Sequence, residues 1–409
     1  MSLNQALSGI NAAQSELNVI SNNIANAGTT GFKGSTAEFS DIFAVTGLNL
    51  NATAVGSGTR LSDVAQQFAQ GDIETTGNSL DLAISGNGFF TVNNGSGPVY
   101  TRNGSFQLNA NNYVETSDGT NSMLQVYPPN GLGGFNTSTM TDLQLSSSQS
   151  SANPTSTIGV TANLDSSSTI PTTTPFNPSD STSYNNATTL TVYDSQGGSH
   201  QATVYYVKTA NNTWNANLYI DGNSAGSQAL TFNSSGVLTT PANGNLAFTP
   251  TQPTNGATFP TTMTVNFTNT TQFGTAYSAG SISQNGYQAG SLSSVSIGNT
   301  GIVTANYSNG QTAQLGQVAM ANFANLQGLQ QLGNTSWTAS TASGTPVMGT
   351  ADTGQFGEIQ SGALESSNTS DTTAQLVNMI QAQQDYQANA QVLSTDNTLS
   401  SALFSAIDR

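Results

Sequence analysis

Apolar residues recur at helical spacing only near the two ends of the chain. Leu3, Ile10, Leu17 and Ile24 repeat every seven residues, and Ala6, Ala13, Ile20 and Ala27 fill the other apolar position of the same heptad, which is the spacing of a coiled-coil stripe. At the far end Leu376, Met379, Tyr386, Ala390 and Leu393 follow three/four spacing, and Leu399, Leu403 and Ile407 continue it after a shift in register. The first stripe predicts a helix from about Leu3 to Asn26 that stops at Gly28, a suitable left-handed C-terminal residue. Two such seams predict termini that bury apolar faces against each other or against neighbouring copies, the layout of an assembling subunit.

Between the seams the periodicity changes to short alternating runs punctuated by turns. Leu80-Asp81-Leu82-Ala83-Ile84, Gly88-Phe89-Phe90-Thr91-Val92 and Tyr113-Val114-Glu115-Thr116 read as strands. The Ser/Thr/Pro-rich stretch from Ser146 to Pro175 reads as a boundary. Beyond it, Thr189–Tyr193 and Ala202–Val207 flank a Gly197-Gly198 turn as a hairpin, and Trp214 to Ile220 alternates as a further strand. After Gly280 the pattern of the first β-region returns, through Gly301-Ile302-Val303 and Leu315 to Phe323. The expected fold is therefore mixed and mainly β, with nested discontinuous β-domains and paired N- and C-terminal coiled-coil-like α-helices. Its expected parts are a terminal helical assembly domain (residues 1–28 and 362–409), an extended connector (29–70), a discontinuous inner β-domain (71–146 and 285–361) and an inserted outer β-domain (147–284).

Charge narrows the function classes. Only 6% of the 409 residues are charged, five Lys or Arg against twenty-one Asp or Glu, giving a net charge of -16. Nucleic acid recognition rests on basic groups neutralising phosphates, so a nucleic acid partner is not expected, nor is an anionic membrane. No stretch approaches the roughly 18 apolar residues that span a bilayer, so membrane insertion is not expected. Cysteine is absent, which removes disulfides and thiolate metal sites. The polar composition is that of an extracellular protein, yet Asn4, Gln5, Ser8 and Asn11 interrupt any apolar signal core. Export without a cleaved signal peptide is the expectation.

The search for chemistry returns little. His200 is the sole histidine, follows the Gly197-Gly198 turn and reads as an exposed hairpin residue rather than a triad base. Asp72, Asp81, Asp118, Asp194 and Asp221 lie near turns without a Ca²⁺-loop spacing and read as solvated turn aspartates. Gly86-Asn87-Gly88 lacks the third glycine and following helix of a dinucleotide loop. No catalytic residue, metal site or cofactor is expected.

Two local patterns stand out at opposite ends. Ser21-Asn22-Asn23-Ile24-Ala25-Asn26-Ala27 with Thr30-Gly31-Phe32-Lys33, and Gly362-Ala363-Leu364-Glu365-Ser366-Ser367-Asn368 with Met379-Ile380-Gln381-Ala382-Gln383 and Tyr386-Gln387-Ala388-Asn389-Ala390, resemble the terminal signatures of the bacterial flagellar rod and hook axial family. Thr76-Gly77-Asn78-Ser79-Leu80-Asp81, Gly86-Asn87-Gly88-Phe89-Phe90 and Tyr100-Thr101-Arg102-Asn103-Gly104 resemble the β-domain of that family. The insertion with Phe176-Asn177-Pro178 and Val192-Tyr193-Asp194-Ser195 resembles the outer domain of its hook branch. The chain departs from the pattern after Asn368, where Thr369-Ser370-Asp371 replaces the common Val-Asp-Leu, and at Gln384-Asp385, where a basic residue is frequent.

The resemblance implies a non-enzymatic structural subunit of the flagellar hook, polymerising into a curved hollow tube that passes motor torque to the filament. Implied partners are many copies of the same chain, the distal rod, the hook cap, hook-filament junction proteins and the flagellar type III export apparatus. The alternative within the family is a distal-rod or hook-associated junction protein. The alternative from another class is a secreted adhesin.

Overall fold

The computed structural model describes residues 2–42, 56–145 and 150–407, with side chains for 3–42, 56–145 and 150–403. The chain divides into two compact units. The first comprises Met1–Ser146, Ser294–Ala305 and Ala313–Arg409, and the second Ser147–Ser293 and Asn306–Thr312.

In the first unit, helix α1 (Ser2–Ala25) packs against helix α2 (Thr372–Ile407) and against a hairpin of β1 (Ser35–Asp41) and β2 (Thr59–Gln66). This hairpin stands in the stretch expected as a connector, and its antiparallel register runs from Ser35 opposite Gln66 to Asp41 opposite Thr59. A two-stranded ribbon alone is marginal in water. Packing along α1 gives it a supporting surface.

Helix α1 ends within a residue of the predicted position, but not on the left-handed glycine that the sequence suggests. The Asn26 N–H makes the last regular bond to the Asn22 carbonyl at 3.1 Å, its side chain donates to the same carbonyl at 3.0 Å, and its Oδ1 accepts from Thr29 Oγ1 at 3.3 Å. Tight turns then carry the chain past Gly28, and the left-handed residue is Gly31 (φ 68°).

The rest of this unit is a sheet whose neighbours come from distant parts of the sequence. Met123–Tyr127 pairs with both Phe89–Asn93 and Thr312–Val318, and Pro98–Thr101 pairs with Ser336–Thr338. Alternation along a strand sends neighbours to opposite faces. Phe90 accordingly joins a core with Leu82, Val92, Phe106 and Leu124, while Phe89 packs with Tyr100, Phe323 and Trp337.

The second unit is a pair of five-stranded sheets with one core between them. Asn186–Tyr193 and Ser199–Ala210 form the expected hairpin, with Tyr193 opposite Ser199, followed by Thr213–Ile220 and Asn223–Phe232. The other sheet is built around Thr157–Asp165, flanked by Met263–Asn266, Thr271–Phe273 and Ser278–Gln284. That strand lies in the Ser/Thr/Pro-rich stretch read as a boundary, of which residues 146–149 fall outside the described residues. Its strict alternation explains the difference, because Ile158, Val160, Ala162 and Leu164 are all buried while the intervening polar residues face outwards.

Candidate functional site

The two terminal helices pack against each other, with Gly9 of α1 beside Asn389 of α2. On α1 the buried apolar residues are Ala6, Ala13 and Ile20, the second heptad position, whereas Ile10, Leu17 and Ile24 are half-buried and Leu3 is exposed. On α2 only Ala382 is fully buried among the described residues. Met379, Asn389, Ala390 and Leu393 are half-buried. At Gly9, mid-helix, a Cβ would stand 2.5 Å from Asn389 Oδ1. A glycine in a helix interior costs about 1 kcal/mol relative to alanine, and here its missing side chain lets α2 approach.

The remaining seam residues are open to solvent. Leu376, Tyr386, Leu399 and Leu403 are exposed, with Leu399 and Leu403 at 64% and 63%, and Val377, Ile380 and Val392 join them. Fully burying such a side chain contributes roughly 1.5–3 kcal/mol. Most of the apolar surface of α2 is thus left uncovered within the chain. The side chain of Ile407 lies outside the described residues.

At the root of both helices is a buried polar knot centred on Glu365. This residue ends the strand Ala363–Glu365, which pairs with Ile73–Thr75. Its Oε1 accepts from Lys33 Nζ at 2.6 Å and from the Gly71 N–H at 2.9 Å, and its Oε2 accepts from Arg102 Nη1 at 3.1 Å. All three side chains are buried. Lys33 donates further to the Ala69 carbonyl, and Arg102 to that of Gly86, while the Arg102 guanidinium lies 5.5 Å from the centre of the Phe89 ring. Burial pulls the Lys33 ammonium below its ordinary value, against the opposing pull of Glu365.

The knot also fixes where α1 leaves and α2 begins. The Glu365 carbonyl accepts from the N–H of Gly31 at 2.7 Å. Gly31 is required twice over, by its left-handed φ and because a Cβ would meet the Asn103 nitrogen at 2.6 Å. Asn23 exchanges two hydrogen bonds with the main chain of Ser35. Asn368 accepts from the Gly34 N–H at 2.8 Å and donates to the Gln67 carbonyl. Thr369 donates through Oγ1 to the Asn23 carbonyl, and Asp371 Oδ1 caps α2 by accepting from the N–H groups of Thr373 and Ala374. Two of the residues that depart from the resembled pattern, Thr369 and Asp371, therefore hold the chain to itself.

The sequence signatures divide accordingly. Asn23, Gly31, Lys33, Glu365 and Asn368 come together in the knot, and Phe32 and Leu364 flank it. Asn26 shapes the turn above it. Gly77 (φ 78°), Asn78 and Leu80 form a separate turn in which Asn78 Nδ2 donates to Asp81 Oδ1 at 3.1 Å. Gly88 adopts φ 118° beside Met320. Ser21, Asn22 and Ala25 face solvent. Arg102, Gly71 and Gly9 also take part in these arrangements; Arg102 lies in the Tyr100–Gly104 stretch that carries the resemblance, whereas the sequence does not single out Gly71 or Gly9 as site residues. An isolated glycine inside the α1 pattern is the one readable sign, and it applies to Gly9.

Comparison with known proteins decides the family. The flagellar hook protein FlgE of Escherichia coli is 41% identical over 414 residues, covering 98% of this chain and 99% of that protein. The chain belongs to the flagellar hook protein family. The hook protein of Salmonella typhimurium is likewise 41% identical, and that of Rhizobium meliloti is 32% identical over 96% of this chain and 95% of its own. Four described sequence families match consecutive stretches of this hook-family chain: the flagella basal body rod protein at 3–33, the flagellar hook protein FlgE/F/G D1 domain at 83–147, the flagellar basal body protein FlaE D2 domain at 163–287, and the flagellar basal body rod FlgEFG protein C-terminal region at 360–405. The crystal structure of the Helicobacter pylori flagellar hook protein FlgE2 shares the fold, with a TM-score of 0.51 and 13% identity over 72% of this chain and 100% of that one.

Two expectations about ionisable groups need correction in this hook-family fold. His200 is not an exposed hairpin residue. It lies between Asp194 and Asp221. Asp194 itself is fully buried, and Asp81 is buried with Thr76 and Asn78 as partners. Both aspartates hold turns together from inside rather than sitting in solvent, because each buried carboxylate is satisfied by donors from its own turn.

Proposed function

We propose that this chain is the structural subunit of a bacterial flagellar hook, polymerising into a curved hollow tube that transmits motor torque to the filament, and that it carries no enzymatic activity. Full-length identity of 41% to hook proteins of known name supports this reading. The observation that carries the mechanism is the uncovered apolar surface of α2.

In the proposed assembly, the exposed Leu376, Ile380, Leu399 and Leu403 are buried by neighbouring copies, supplying the cohesive contacts. The knot at Glu365 resists twisting of the helix roots, because turning them would strand buried charges. The second unit presents Ser, Thr, Asn and Gln, whose water-bridged contacts exchange at little cost as a tube bends. Export proceeds through the flagellar type III apparatus with the N-terminus uncleaved. The distal rod, hook cap and hook-filament junction proteins are the proposed heterologous partners, in an extracellular location.

Electron microscopy of a strain lacking this chain tests the reading. Basal bodies ending at a complete rod are the expected result. Normal hooks, or arrest before the rod is complete, would overturn it in favour of a junction or rod role.

A further inference from the structure

One end of the second unit is held by a three-residue ionic bridge. His200 Nδ1 lies 2.5 Å from Asp221 Oδ2, and His200 Nε2 lies 3.1 Å from Asp194 Oδ2. A neutral imidazole carries one N–H and one lone pair, so only the doubly protonated ring can donate to both carboxylates. Asp194 is buried and already accepts from the N–H groups of Gln196 and Gly198 at 2.9 and 2.8 Å. Asp221 is half exposed, adopts a left-handed φ of 48° and accepts from the Gln201 N–H at 3.0 Å. The bridge thus ties the turn at 194–198 to the turn at 221–222.

The first of these turns leans on the stem of the unit. The stem is two antiparallel segments bridged at Ser150 with Gly290 and at Asn153 with Tyr287. Gly197 adopts φ 83°, and a Cβ there would meet Gln288 Cα at 3.0 Å and Ala152 Cβ at 3.1 Å, one from each segment. Thr155, which continues the stem, donates its N–H to the Tyr193 carbonyl at 2.9 Å. Movement of this turn cannot leave the stem undisturbed.

We infer that His200 is a proton-operated clamp that stiffens the stem end of the second unit when charged and releases the 221–222 turn when neutral. On deprotonation one ring nitrogen presents a lone pair to a carboxylate. Asp194 is retained by its two main-chain donors, so the half-exposed Asp221 is the side that lets go.

The charged groups facing the ring are Asp194 and Asp221. Phe259 packs edge-on against it at 5.0 Å and Val192 is its apolar cross-strand neighbour. Lys208, further along the same strand, is occupied by the Ser166 and Ser168 carbonyls. Burial draws the imidazole pKa down, but hydrogen bonding and attraction from Asp221 and Asp194 outweigh it, leaving the value above the ordinary 6.5. A histidine raised on folding contributes stability that is complete below about 6.5 and is lost as pH rises through the folded value. The clamp is therefore closed in mild acid and open in alkali.

With a single histidine in the sequence, the full chain gives one imidazole Cε1–H proton resonance, and its titration reads the clamp directly. The expected midpoint lies above the ordinary 6.5 and falls towards it in Asp221→Asn. The denaturant midpoint of the wild-type chain should fall as pH rises through that value, and His200→Gln should lose this pH dependence. A wild-type histidine midpoint at or below 6.5, one unmoved by Asp221→Asn, or the same pH slope in His200→Gln, would overturn the proposal. Should His200→Gln fail to fold, the titration of wild type against Asp221→Asn still decides. None of these readings depends on polymerisation.

Discussion

Helices α1 and α2 carry similar apolar content but end up in different states. Helix α1 is supported by α2 on one side and by the β1–β2 hairpin on another, and its Ala6, Ala13 and Ile20 are buried. Among the described residues, helix α2 rests chiefly on α1, buries only Ala382 fully, and leaves seven large apolar side chains exposed. The difference teaches that one helix closes the centre of its seam within its own chain, while the other leaves most of its apolar face uncovered there. A seam in a sequence does not say which of its residues close internally. Packing does.

The sharpest way to test that division is to charge the outward face of α2. Leu376→Asp with Leu399→Asp should abolish polymerisation while shifting the unfolding free energy of the monomer by no more than about 0.5 kcal/mol, the usual range for exposed sites. Sedimentation and denaturant titration read the two effects separately. Tubes from this variant would show that the face is idle. Conversely, Ile20→Asp places a carboxylate in the internal seam and should destabilise the monomer itself, as an unpaired buried charge does.

Next in size is the knot. Glu365→Gln leaves two buried cations facing a neutral amide and should cost about 3–5 kcal/mol of first-unit stability, measured by denaturant unfolding. A loss below about 1 kcal/mol would mean that water or another group compensates. A smaller effect is expected at the helix crossing. Gly9→Ala alone should be close to neutral, because a helix-propensity gain of about 1 kcal/mol is offset by displacing Asn389, whereas Gly9→Ala with Asn389→Ala should recover that gain. Slower amide exchange across α1 in the double variant is the check.

The smallest expected effect concerns salt. Lys33, Arg102 and Lys208 are buried, which leaves Arg60 as the one exposed basic side chain among the described residues. Copies of such a surface repel one another and have little with which to form intermolecular ion pairs. Raising salt from about 0.05 to 0.5 M should therefore speed assembly a few-fold, since screening weakens the repulsion. Slower assembly would reveal attractive ion pairs that this charge distribution does not predict.

Much of this fold is legible in the sequence because its periodicities are local. The end seams, the Thr189–Val207 hairpin and the strand at Trp214 rest on spacing within one element. What is not legible is decided at long range. Thr157–Asp165 is masked by surrounding Ser and Thr, although alternation marks its buried face. The β1–β2 hairpin draws its support from α1, so its polar sequence gives little sign of a strand pair. Lys33 and Glu365 are visible as signature residues, but their contact spans 332 positions, and nothing local brings them together. His200 differs from expectation for the same reason, since a hairpin position alone does not disclose a second carboxylate from the next turn.

The interleaved sheet of the first unit has a consequence for the order of folding. Met123–Tyr127 waits for Thr312–Val318, and α1 waits for α2 at the other end of the chain. Most of the second unit, by contrast, lies in the continuous stretch Ser147–Ser293. For a chain delivered from its N-terminal end, the second unit has most of its partners on hand before the first can close, and contacts of such wide sequence separation form slowly. The apolar face of α1 therefore remains longest without its partner, and the polar residues that space its seam limit premature association during that interval.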